Sequence, residues 1–153
     1  MTCFGAIRTL HYAKEKAMKV TVEAFVRVDL DKVWAAWNNP ADIVQWNAAD
    51  ETWHTKARAV DFREGGTFRS RMEAKNGTSG FDFEGTDTRI VATKLIQYQM
   101  SDGREVQACF VARSGGFLVT ETFDAETENP PELQRHGWQA FLNSFSRHVE
   151  AKS

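Results

Sequence analysis

The sequence predicts an α+β domain in which a seven-stranded antiparallel sheet wraps around one long C-terminal helix, with two short helices after the first strand. Three observations carry this. In residues 129–153 the apolar side chains Trp138, Phe141, Leu142, Phe145 and Val149 recur at helical spacing and share one face. Residues 56–124 read as six strands separated by turn signals, and residues 19–28 alternate strictly between apolar and polar positions. An antiparallel sheet with one apolar face must cover that face, and the last helix is the only long element available to do so.

Taken in order, Val20, Val22, Ala24, Val26 and Val28 form the inner side of a first strand, opposed by Thr21, Glu23, Phe25 and Arg27. Asp29 or Asp31 is placed to cap a short helix over residues 32–37 that turns Val33, Trp34 and Trp37 inward. Asn39-Pro40 opens a second short helix anchored by Ile43, Val44 and Trp46. Gly65-Gly66 divides a strand ending near Arg63 from one over residues 67–75. Asn76-Gly77 and Asp102-Gly103 are hairpin signals of the type I′ kind, and Ser114-Gly115-Gly116 supplies the last turn. The strands between them span residues 80–91, 94–101, 104–113 and 117–124. Their inward sets are Phe68, Ser70, Met72 and Ala74, then Phe81 and Phe83, then Ile96, Tyr98 and Met100. Val106, Ala108, Phe110 and Ala112 follow, and Phe117, Val119, Glu121 and Phe123 complete the face. The final helix has Asn129 as its expected cap, Pro130 at the first position and Glu132 closing a capping box, and runs for about 30 Å.

At 153 residues the chain suits one domain, residues 18–153, with residues 1–17 set aside as an N-terminal extension outside the core. That extension lacks the apolar stretch of a secretory signal, although Phe4, Ile7 and Leu10 hint at a helix. A net charge of −2 gives no electrostatic basis for nucleic acid or an anionic membrane as partner, and no apolar run approaches a membrane span. Two cysteines, Cys3 and Cys109, do not make a disulfide framework, and the expected compartment is the cytoplasm. Eleven Phe and five Trp suit either a bulky core or an apolar pocket.

The order of elements, with VTVEAFVRV leading into DKVWAAW and NPADIVQW, the segment FREGGTFRSRMEAKNGTSGFDFEG, the IQYQMSDGR turn and the GWQAFLNSF helix, resembles the helix-grip fold of the START/SRPBCC superfamily. Within it the motifs look like the branch of the activator of heat-shock-protein-90 ATPase, over residues 19–150. The resemblance implies a cavity between helix and sheet, opening near the short helices. Eukaryotic activators carry a chaperone-binding domain ahead of this one, where this chain has its extension.

Within such a cavity the candidate ligand-binding residues are Trp46, Trp53, His54, Met72, Phe81, Phe83, Met100, Phe110, Glu121, Trp138 and Phe141. Glu121 stands out because a carboxyl between Val119 and Phe123 would be costly to bury unpaired and would titrate high. A bulge that sends it to water, or an arginine partner, is the plainer account. His54 lies in the linking stretch 47–55, near the expected mouth, where an imidazole can act as acid, base or donor. Trp46 and Trp53 line that mouth or anchor the short helices; Gly137 allows a close approach, leaves room for a ligand, or is a tolerated surface glycine. Arg63, Arg69, Arg71 and Lys75 read as a solvated strand face.

No zinc spacing links the four histidines, since His136 and His148 fall about 120° apart around their helix. Phosphate-binding loops, dinucleotide fingerprints and a nucleophile elbow are absent from the sequence, and no cofactor is implied. The leading expectation is therefore a domain that binds a small, mostly hydrophobic ligand rather than an enzyme. Two alternatives are a cavity-based cyclase, isomerase or hydrolase using Glu121 and His54, and a chaperone-associated interaction module. Homodimerisation is compatible with all three.

Overall fold

The computed structural model describes residues 18–48 and 51–152; the extension at residues 1–17 lies outside them. The elements are β1 (Lys19–Val26), α1 (Leu30–Asn38), α2 (Pro40–Trp46), β2 (Trp53–Val60), β3 (Thr67–Ala74), β4 (Gly80–Val91), β5 (Leu95–Met100), β6 (Glu105–Arg113), β7 (Gly116–Asp124) and α3 (Pro131–Lys152). One antiparallel sheet has the order β1-β7-β6-β5-β4-β3-β2, so six consecutive strands form a meander and the first strand closes onto the last.

Local chemistry accounts for most boundaries. Asn39 caps α2 as expected, its side-chain oxygen accepting from the Ala41 amide, with Pro40 at the first helical position. Asp29 holds the cap position of α1 with its carbonyl alone; its side chain makes no capping bond. The last helix starts one residue later than expected. The Pro130 carbonyl accepts from Leu133 and Gln134, and the capping box is replaced by a side-chain clasp. Glu126 accepts from the amides of Glu128 and Asn129, while Gln134 Nε2 donates to the carbonyls of Glu126 and Asn129.

The two hairpins are not type I′ turns. Gly77 and Gly103 have positive φ (76° and 92°), whereas Thr93 is the sole described non-glycine residue with one. The amides of Gly77 and Gly103 donate to Ala74 and Met100, three residues back, so each turn is of type I with a left-handed glycine after it. The basic strand residues face solvent as expected and meet acids there: Arg71 Nε lies 2.9 Å from Glu73, and Arg69 pairs with Glu84.

The helix stripe divides along its length. Leu142, Phe145 and Val149 are buried in a core with Val22, Val26, Val33, Ile43, Ile96, Phe110 and Val119. Trp138, nearer the N-terminus, stacks on Phe123 at 4.1 Å and 11° beside Met100 and Val106. The short helix α2 is tied to α3 by buried Asp42, which accepts from His148 Nε2 at 2.9 Å and Lys152 Nζ at 2.5 Å. Burial acts to raise the Asp42 pKa, but the bonds from Lys152 and His148 outweigh it and hold the carboxyl below its ordinary value. The sheet's other face is also covered in part: Leu95 and Gln97 are fully buried there. No described helix is long and apolar enough to cross a membrane.

Candidate functional site

Where α3 lifts from β3–β5, it leaves a pocket of about 280 Å³ between helix and sheet. The helix contributes Trp138 and Phe141, and the short helices contribute Trp37, Ile43 and Trp46. The sheet supplies Phe68, Met72, Phe81, Phe83, Ile96 and Met100. Phe81 and Phe62 are 50% and 38% exposed, so they mark the solvent side. Gly85 is what lets Phe68 lie flat on the floor; a Cβ there would sit 2.6 Å from the Phe68 ring.

Polar side chains interrupt this apolar lining: Asn38 and Asn47 at the short helices, Arg104, and the inward-facing Arg58, Asp87, Tyr98 and Glu121. Glu121 pairs in register with Val22 and Ala108 on an unbroken strand, so it points inward and is only 5% exposed. Burial pushes its carboxyl up to about 8, which keeps it protonated at neutral pH as a hydrogen-bond donor. Asp87 is buried opposite Tyr98. Desolvation raises it to about 6 despite the opposing pull of the Arg58 charge. Burial likewise pushes the Tyr98 hydroxyl well above the ordinary phenol range, so it too donates.

Arg58 reaches the pocket because the strand slips. Thr55 pairs with Met72, but Ala57 pairs with Arg71; the extra residue at Lys56 turns Arg58 to the inner face beside Ser70. There its Nη1 donates to Ser70 Oγ at 2.6 Å, and the guanidinium carbon lies 4.5 Å from the Phe68 ring centroid. Its Nε is buried with no acceptor.

Of the sequence candidates, Trp46, Met72, Phe81, Phe83, Met100, Glu121, Trp138 and Phe141 meet around this pocket. Trp46 serves both purposes considered for it: it is 7% exposed, donates through Nε1 to the Ala36 carbonyl at 2.9 Å, and forms part of the wall. Phe110 is not on the lining. It is buried under Trp34 and Trp37, with ring centroids 5.3 and 5.4 Å away. Trp53 and His54 lie on β2 rather than in a linking loop. Trp53 packs on Phe81 at 5.9 Å, outside the pocket. His54 pairs with Glu73, so alternation turns it to the face opposite Glu121, and the two do not converge. Arg58 and Asp87 were missed by sequence reasoning. For Asp87 a signal existed, because it keeps the parity of Phe81, Phe83 and Gly85; for Arg58 the bulge hid it.

Among the described residues no three His, Cys, Asp or Glu side chains gather as a metal site. A family model described as "Activator of Hsp90 ATPase homolog 1-like protein" matches residues 27–150. The chain belongs to this family. Among solved structures, an AHSA1-like protein from Aeromonas hydrophila is 47% identical, with 88% of this chain and 94% of that one covered and a TM-score of 0.84. A protein from Cytophaga hutchinsonii is 42% identical over 88% and 93%, at a TM-score of 0.76. One from Nitrosomonas europaea, at 16% identity, covers 88% and 96% with a TM-score of 0.76, a likeness of fold alone. No curated protein matches. The helix-grip architecture of this AHSA1-like chain is thus that of its family, and the pocket sits where helix and sheet part.

Proposed function

We propose that this AHSA1-like domain binds a small, mostly apolar ligand between α3 and the sheet. The observation that carries the proposal is the pocket of about 280 Å³, whose lining is mostly aromatic, aliphatic and methionine side chains with a minority of polar groups among them. Binding sites for small molecules have this composition, and the volume is near their lower end, so the ligand is compact. Catalysis by a Glu121–His54 pair is not part of the proposal, since those side chains lie on opposite faces of the sheet.

Titration with the neutral fluorescent probe N-phenyl-1-naphthylamine tests it. One equivalent is expected to bind saturably and raise the melting temperature, as any ligand selective for the native state must. The variant Met72→Trp, which fills the space, is expected to lose that binding while keeping a cooperative melt. Equal binding by the filled variant, or none by the natural chain, would overturn the proposal.

A further inference from the structure

Arg58 is an unusual wall for an apolar pocket. A guanidinium cannot shed its charge at any physiological pH, and taking one out of water is costly unless an anion or several acceptors receive it. Here the acceptors are few: Ser70 takes Nη1, the Phe68 ring takes one flat side, and Nε has none. Among the described residues no carboxylate lies within ion-pair distance of it. Arg104 differs, because its Nε is matched by Asp102 at 2.8 Å.

The neighbouring groups favour an incoming anion over a cation. At neutral pH protonated Glu121 and Tyr98 both present hydrogen-bond donors to the same space. Asp87 is the competing acid. It sits near enough for the Arg58 charge to stabilise it, yet burial leaves it close to taking a proton. An anion that arrives at Arg58 therefore displaces a group that can neutralise itself, whereas a cation arriving at Asp87 confronts a charge that cannot.

We infer that the pocket is built for an apolar molecule bearing one carboxylate, with the carboxylate against Arg58 and the apolar body among Phe68, Phe83, Met100 and Trp138. This rests on the ligand-binding proposal above and adds the chemical class to it. A planar fork opposite a planar carboxylate gives charge-assisted bonds stronger than those a neutral carbonyl makes.

The test uses the full chain and three matched probes, octanoate, methyl octanoate and octylamine, by calorimetry at pH 7. Octanoate is expected to bind at least about tenfold tighter than its ester, the margin of one charge-assisted bond. Arg58→Gln should abolish that preference, bringing acid and ester to equal affinity, and Arg58→Lys should restore part of it. Equal affinity of acid and ester in the natural chain overturns the inference while leaving the ligand-binding proposal standing, and needs no variant to fold. Preference for octylamine also overturns it, in favour of Asp87. Failure of all three probes, together with the neutral fluorescent probe, removes both.

Discussion

Gly137 shows how a single position separates a packing constraint from a tolerated residue. It lies in the interior of α3, where glycine costs about 1 kcal/mol relative to alanine, and a Cβ built there meets nothing within 4 Å. No close approach to the sheet explains it, and it is not on the pocket lining, so room for a ligand there does not explain it either. Gly137→Ala is expected to stabilise the chain by about 0.5–1 kcal/mol in urea unfolding and to leave probe binding unchanged; a loss of stability would show that the helix needs a bare backbone there. The same scale decides what was legible in the site. Glu121 could be found because its strand alternates without interruption, so parity alone puts it beneath the helix. Arg58 could not, because one extra residue at Lys56 inverts parity, and a bulge leaves no mark in the pattern of apolar residues. Phe110 had the right parity and still missed the pocket, since two tryptophans from α1 cover it. Alternation assigns a face; which neighbour fills the space above that face depends on side chains far away in sequence.

At the scale of elements, the helix–sheet arrangement was readable almost strand by strand, since hairpin glycines and period-two alternation are local signals. The link from α2 to α3 was not, because it joins residues 106 apart. Asp42 makes that link through His148, whose side chain is 12% exposed, and Lys152, whose side chain is 56% exposed. The buried partner should carry most of the energy, because the lysine's bond is screened by water. Asp42→Ala is expected to cost about 1–3 kcal/mol and lower the melting temperature by several degrees. Lys152→Ala should cost no more than about 0.5 kcal/mol. Equal effects from the two variants would place the weight on the exposed ion pair instead. Since Ile43 and Trp46 of α2 form one wall of the pocket, Asp42→Ala should also loosen the neutral probe's site.

For the molecule as a whole, the pocket's acids set how stability responds to pH. Glu121 ionises near 4.5 when unfolded and near 8 in the fold, so the native state holds a proton that the unfolded chain has released across that interval. Its contribution is therefore fully present below about pH 4.5 and is lost as pH rises through 8. Asp87 acts in the same direction but only up to about 6, while the depressed Asp42 acts oppositely and only at acid pH, losing its contribution as pH falls. Above pH 6 the Glu121 effect can thus be isolated. Glu121→Gln keeps the shape and removes the ionisation. Between pH 6 and 8.5 its stability should gain on that of the natural chain by up to about 2–3 kcal/mol, read from urea midpoints at the two pH values. Parallel pH profiles for the two proteins would mean that the carboxyl finds water in solution. A ligand that occupies the pocket should widen the gap, because excluding water from Glu121 makes its ionisation costlier still. The pocket would then couple ligand occupancy to proton retention at a single carboxyl, and a bound chain would take up or hold protons that the empty chain gives up near pH 8.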